Sequence, residues 1–219
     1  MIIVGICGGS GSGKSTFAER IRDGLSCSCE IMRLDCYYFD QGGKPFEERT
    51  KVNYDSPEIF DFDEMLEDIR LLLDGKPVTR KGYNYAEHRR DDSEELMYPP
   101  EVLIIEGIHV FYDDRICDIM NLKLFIKVDS DICLLRRIAR DMNERGRSLE
   151  SISEQYKATV KPMREKYIDK YIDKADVVVM RGGMNEQALK TTISYLKSCV
   201  KEQRSAESEK NESDGNDSE

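Results

Sequence analysis

The run Gly8-Gly9-Ser10-Gly11-Ser12-Gly13-Lys14-Ser15 constrains this chain more than any other stretch. It follows the apolar segment Ile2–Cys7 directly and leads at once into a helical pattern. It therefore matches G-x-x-x-x-G-K-[ST] in the strand–loop–helix context that pattern requires. Glycines let the backbone curl until successive N–H groups point inward at phosphate oxygens. The following helix adds the partial positive charge of its N-terminus. Lys14 is expected to reach the β- and γ-phosphates, the Ser15 hydroxyl to ligate Mg²⁺, and Thr16 to belong to the same nucleotide-binding run. The bland alternative is a glycine-rich turn without a ligand, and the full spacing in its proper context argues against it. The motif specifies a nucleoside triphosphate and leaves open what is done with it.

Around this loop, short β-branched runs alternate with longer amphipathic ones, the pattern of a parallel sheet covered by helices. Strands are predicted near Ile2–Cys7, Glu30–Leu34, Val102–Ile105, Leu122–Val128 and Asp176–Met180. Helices are predicted near Ser15–Leu25, Glu58–Leu73, Asp114–Met120, Asp131–Asn143, Leu149–Tyr171 and Glu186–Lys201. Within Asp131–Asn143, the residues Leu135, Ile138, Ala139 and Met142 form one apolar stripe. Between Pro77 and Pro99 the sequence becomes Tyr-rich, alternating and charged, which reads as a β-hairpin inserted at the sheet's edge. From Ser205 onward apolar residues almost vanish, so 205–219 is expected to be a disordered acidic tail. The remainder, 1–204, is read as one α/β domain with a five-stranded parallel sheet, a hairpin insert at about 77–99 and a lid at about 136–156.

Composition narrows the function. The 219 residues carry 33 basic and 43 acidic side chains, a net charge of -10. General binding of a nucleic-acid polymer or an anionic membrane wants the opposite sign. No run approaches the roughly 20 apolar residues of a membrane span. Met1-Ile2-Ile3-Val4 has no basic region and runs into the first strand, so no signal peptide is expected. Cysteines 7, 27, 29, 36, 117, 133 and 199 are odd in number and scattered, which fits reduced thiols in the cytoplasm.

In open α/β sheets, ligands sit beyond the carboxyl ends of the strands. The polar residues there are Asp35, Glu106 and Asp129. Glu106 follows four apolar residues, the pattern of a carboxylate in the Mg²⁺ shell. Asp35, in Leu34-Asp35-Cys36-Tyr37-Tyr38, is a candidate general base for an acceptor hydroxyl, with Tyr37 and Tyr38 walling the site. Asp129 reads as a helix cap. Arg136, Arg137 and Arg140 lie on the helix face opposite the apolar stripe, and Arg145 and Arg147 follow around Gly146. Guanidinium groups suit phosphate oxygens, and phosphoryl transfer needs cations on the migrating charge. A solvated basic face paired with Asp141 and Glu144 is the alternative. His109 has no evident partner in the sequence and is read as structural.

These motifs together resemble the uridine kinase (uridine/cytidine kinase) family of P-loop kinases over about residues 2–195. The resemblance is carried by Gly8–Ser15, Asp35–Tyr38, Asn53-Tyr54-Asp55-Ser56-Pro57 with Phe60-Asp61, Glu106-Gly107-Ile108, Arg136 to Asp141, Glu144–Glu150 with Gln155-Tyr156, and Arg181-Gly182-Gly183. It implies a three-layer P-loop kinase fold. It also implies transfer of the γ-phosphoryl group of ATP or GTP, with Mg²⁺, to the 5′-hydroxyl of uridine or cytidine. By position, Asp35 matches the acid/base and Asp55 a ribose ligand. Tyr83 and His88 match readers of the pyrimidine edge. Arg137, Arg145, Arg147 and Gln155 match nucleoside and phosphate contacts from the lid, with Arg140 on the nucleotide side and Glu106 beside the metal. A homotetramer built partly through the hairpin, and feedback inhibition by pyrimidine triphosphates, are also implied.

The chain departs from the family's Pro-x-Tyr-Asp-Phe, which appears here as Lys81-Gly82-Tyr83-Asn84-Tyr85. Two alternatives stay open. One is a kinase of another hydroxyl acceptor, like phosphoribulokinase or pantothenate kinase, against which Tyr83–His88 and Glu144–Tyr156 argue. The other is a nucleotide-controlled switch, for which the guanine-reading N-K-x-D is missing.

Overall fold

A computed structural model describes residues 1–216. In chain order its elements are β1 (Ile2–Cys7), α1 (Lys14–Gly24), β2 (Cys29–Arg33), α2 (Phe46–Arg49), α3 (Phe62–Leu73), β3 (Val78–Asn84), β4 (Arg89–Met97), β5 (Val102–Gly107), α4 (Asp114–Cys117), β6 (Leu122–Lys127), α5 (Ser130–Arg145), α6 (Leu149–Gln155), α7 (Lys161–Lys166), β7 (Val177–Met180) and α8 (Glu186–Asn216). Five strands form one parallel sheet in the order β2-β5-β1-β6-β7. Every residue of β1 and β5 is buried, as continuous apolar strands require when both faces are covered. One layer of core, with Met32, Leu103, Phe111 and Met65, packs under α3. The other, with Val4, Ile104, Phe17, Ile21 and Leu196, packs under α1 and α8. The hairpin β3–β4 forms a separate antiparallel pair, as predicted for the insert.

Helix ends follow local chemistry. The Asp61 carboxylate accepts the N–H of Glu64 at 2.9 Å and starts α3. That start lies four residues beyond the predicted Glu58, because Pro57–Ile59 forms only a short 3₁₀ turn. The Ser148 hydroxyl starts α6 in the same way, by accepting from Ser151.

Two expectations are corrected. The single helix expected over Leu149–Tyr171 is broken into α6, a π-helical turn at Tyr156–Val160, α7, and a 3₁₀ stretch at Ile168–Lys174. Pro162 has no N–H to give the carbonyl four residues earlier, so the ladder cannot run straight through. The last helix does not stop near Lys201. It continues through Asn216, into the stretch expected to be disordered, and residues 217–219 of that stretch lie outside the described residues. Residues such as Lys201, Glu202, Gln203 and Ala206 favour helix without any apolar face to bury. Arg204 anchors the extension through Glu101 at 2.7 Å.

The sidedness of α5 follows its arginines rather than its apolar stripe. Its apolar stripe faces outward, with Leu135 62% and Met142 46% exposed. Its polar face turns inward, with Arg137 6% and Asp141 0% exposed. Hydropathy alone places a stripe of that kind inside. Here the inner side of the helix meets the phosphate loop at Ser10 and lines a cavity.

Candidate active site

The loop after β1 wraps as its glycines allow. Gly13 has φ +91°, and a Cβ there would lie 2.9 Å from the Gly183 nitrogen. Gly11, with φ +82°, is pressed against the carbonyl of Cys133 at the start of α5. Neither position admits a side chain. The Ser12 N–H closes back on Gly9 O at 3.0 Å, and the Ser12 hydroxyl is buried without a partner.

Beyond the carboxyl edge of the sheet lies a cavity of about 260 Å³. It is lined by Ser10, Lys14 and Ser15 from the loop, Asp35 and Tyr38 from the turn after β2, and Asp55. Tyr83 and His88 come from the hairpin, Glu106 from β5, and Arg137, Arg140, Arg145, Arg147 and Gln155 from α5, α6 and the link between them. The predicted residues are thus gathered from six parts of the chain. Gly8, Gly9, Gly11, Ser12, Gly13 and Thr16 shape the loop and its helix rather than line the cavity. Tyr37, expected beside Tyr38 in the wall, turns instead toward α3 and donates to Asp68 at 2.7 Å. Arg136 is exposed and lies apart from its neighbour Arg137, beside Gly182. Asp129 sits at the N-cap of α5, but its carboxylate makes no capping bond and its backbone carbonyl takes the Cys133 N–H at 3.0 Å.

Glu106 is 5% exposed. The Ser15 hydroxyl donates to its Oε1 at 3.0 Å, Arg33 lies 3.7 Å away, and its Oε2 has no partner. Burial raises its pKa, against the pull of Lys14. An orphaned carboxylate oxygen beside a hydroxyl that ends a phosphate loop fits Mg²⁺, which takes one or two protein oxygens and completes its shell with phosphates and water.

Asp55 is also buried, and burial raises its pKa. Its Oδ2 accepts from Thr159 at 3.0 Å. Next to it, Tyr38, Tyr54, Tyr83 and His88 build an aromatic slot. The Tyr38 and Tyr83 centroids are 4.7 Å apart, and the His88 ring stacks on Tyr54 at 5.1 Å and 24°. His88 holds φ +50°, a strained conformation for a non-glycine residue. Its pKa is lowered by burial first and then by Arg147, Arg49 and Arg145, so the ring is neutral.

Six cations line the cavity against three carboxylates, so the site is positive in a chain of net charge -10. Asp141 organises four of them. Its carboxylate lies 2.8 Å from Arg140, 3.3 Å from Arg145, 3.5 Å from Arg137 and 3.7 Å from Arg147. Arg137 also donates to Ser10 Oγ at 3.0 Å and to Gln155 Oε1 at 2.9 Å, which ties the lid to the phosphate loop.

Sequence reasoning missed four contributors. Asp141 appeared only as a surface partner. Arg33 and Tyr85 line the cavity unannounced. His109, read as structural for want of a partner, is wholly buried and bonded at both nitrogens, one of them to Asp55. Asp141 left a trace in the sequence, as one of two acids among five arginines.

Comparison with known proteins identifies the family. A sequence profile of the phosphoribulokinase/uridine kinase family matches residues 3–188. A uridine kinase of Ligilactobacillus salivarius is 42% identical over 201 residues, which span 91% of this chain and 94% of the relative. One from Streptococcus gordonii is 42% identical over 204 residues, spanning 93% and 97%. Among solved structures, phosphoribulokinase from Rhodobacter spheroides superposes with a TM-score of 0.56 at 13% identity, covering 82% of this chain and 69% of that one. That likeness shows the P-loop kinase fold.

Proposed function

The chain belongs to the phosphoribulokinase/uridine kinase family, and from that membership we propose that it transfers the γ-phosphoryl group of ATP or GTP to the 5′-hydroxyl of uridine, and of cytidine. The observation that carries this reading is one continuous cavity. Asp35 lines it together with Lys14 and Ser15 of the phosphate loop and with the aromatic slot of Tyr38, Tyr54, Tyr83 and His88. A pyrimidine suits the slot, and its ribose then lies toward Asp55.

Asp35 orients the 5′-hydroxyl and accepts its proton as the oxygen attacks phosphorus. The new P–O bond forms as the bond to the β-phosphate bridge breaks, and the electron pair leaves on the nucleoside diphosphate. Lys14, Arg137, Arg140, Arg145 and Arg147 hold the charge that spreads over the migrating group. Mg²⁺, when bound at Ser15 and Glu106, neutralises the β- and γ-phosphates. The lid, seated on Ser10 through Arg137, excludes water that would otherwise take the phosphoryl group.

The proposal extends to a cytoplasmic homo-oligomer. The cysteines are free thiols, and Leu96 and Tyr98 of the hairpin are 50% and 65% exposed, open to a second copy. No helix among the described residues is long and apolar enough to cross a membrane.

The test is product analysis with uridine, cytidine, adenosine and ribulose 5-phosphate, each offered with ATP and Mg²⁺. Uridine and cytidine should give monophosphates stoichiometrically with ADP. Turnover of ribulose 5-phosphate alone would reassign the acceptor. Slow hydrolysis indifferent to every acceptor would point to a nucleotide switch.

A further inference from the structure

Asp35 already has a companion that phosphoryl transfer does not demand. Tyr85 donates its phenol hydrogen to Asp35 Oδ2 at 2.6 Å. The Arg145 guanidinium, from the last turn of α5, lies over the same ring, with Cζ 4.1 Å from the centroid. Tyr83 packs edge-on against that ring at 5.1 Å. One side chain therefore touches the turn after β2, the lid and the hairpin at once.

The placement of Tyr85 is built rather than incidental. Asn84 Oδ1 accepts the N–H groups of Ala86 and Glu87, both at 3.0 Å. That side-chain turn fixes the chain on either side of Tyr85. Burial, and then the charge of Asp35, push the phenol far above its ordinary range. It stays protonated, and its hydrogen lies toward the carboxylate. The side chain is 37% exposed and lines the cavity, where its hydroxyl meets Asp35.

A carboxylate has two oxygens and turns about two side-chain bonds. A bond to one oxygen leaves the other free and restricts where it can point. We propose that Tyr85 is a positioning residue: its hydroxyl holds Asp35 Oδ2 so that the second carboxylate oxygen is aimed at the acceptor hydroxyl, and it makes that aim depend on Arg145 being seated from the lid. This rests on the reading of Asp35 as the base. The ring alone could wall the pocket and carry Arg145; only the hydroxyl can hold the carboxylate.

The experiment compares four proteins: the parent, Tyr85→Phe, Asp35→Asn and the double variant. Each is assayed for kcat and for the KM of uridine at saturating ATP and Mg²⁺, and its melting temperature is recorded to show that it is folded. Tyr85→Phe keeps the ring, so the KM of uridine should stay within about twofold while kcat falls about ten- to a hundredfold. In the Asp35→Asn background the same substitution should change kcat by less than about threefold, because the base whose aim it sets is gone. A kcat for Tyr85→Phe within about threefold of the parent overturns the proposal. So does an equal loss in both backgrounds, which would mean that the hydroxyl acts elsewhere. Failure of the underlying reading is separate: Asp35→Asn alone would then retain turnover.

Discussion

His109 Nε2 and the backbone carbonyl of Asp55 are 2.8 Å apart. A carbonyl can only accept, so Nε2 carries the hydrogen and Nδ1 is left to accept the Tyr171 hydroxyl at 2.9 Å. The ring is neutral, and burial lowers its pKa to about 4. Between about 4 and 6.5 the unfolded chain therefore binds the proton more readily than the folded one. The stability tied to this residue is complete above the upper value and is lost as pH falls toward the lower. It amounts to on the order of 3 kcal/mol. His109→Leu should be less stable than the parent at pH 7, through two orphaned polar groups. The gap should narrow as pH falls toward 4.5 in denaturant titrations. Asp55 and Glu106, raised by burial, slope the other way in both proteins and cancel in the comparison. Parallel curves would show that the imidazole is not held neutral.

Lys14→Ala should abolish turnover while leaving the fold intact, because the lysine neutralises the group in flight. A coupled ADP assay decides it, and near-normal kinetics would remove the phosphate-loop reading altogether.

Asp35→Asn keeps the size of the side chain and one acceptor oxygen but removes the charge. Loss of a general base typically costs ~10²–10⁴ in rate. The kcat for uridine should fall by that factor, with ATP affinity in a binding titration little changed. Collapse of ATP binding instead would move Asp35 into the nucleotide or metal site.

Asp141→Asn leaves four arginines crowded round a neutral amide. The variant should be destabilised by ~3–5 kcal/mol, as when one partner of a buried pair is removed. Phosphates can replace the missing charge. ATP with Mg²⁺ should therefore raise the melting temperature of the variant more than that of the parent. Equal shifts would mean that the arginines are held by packing rather than by this carboxylate.

A chain ending at Arg204 keeps the Arg204–Glu101 pair and loses only the end of α8. It should match the parent in melting temperature and turnover, while far-UV circular dichroism shows the missing helix. Loss of activity would give residues 205–219 a role in the domain.

Legibility in the sequence followed the range of the interaction. The phosphate loop, the strand ends and the hairpin are local patterns, and their spacing was enough. The inward face of α5 was legible only through its arginines, because hydropathy cannot report that a helix borders a polar cavity. Nor could it show Tyr85 against Asp35, 50 residues away, or His109 against Asp55, 54 residues away. Those pairings exist only once β2, β5 and the hairpin share one end of the sheet. The break near Pro162 was readable from the missing N–H, had the long helical pattern not masked it. The end of α8 misled for the opposite reason: few apolar residues argue against a core, but not against a helix.

The guanidinium of Arg80, on β3, donates to the backbone carbonyl of Ile31, on β2, the outermost strand of the sheet. An outer strand offers a ladder of unpaired backbone groups on which another chain can polymerise, and a charged side chain docked there blunts that invitation. The insert that furnishes Tyr83, Tyr85 and His88 is thus also an edge guard. On the proposed reading, exchanging the hairpin to retune the acceptor would strip the guard as well and bare the sheet's outer edge.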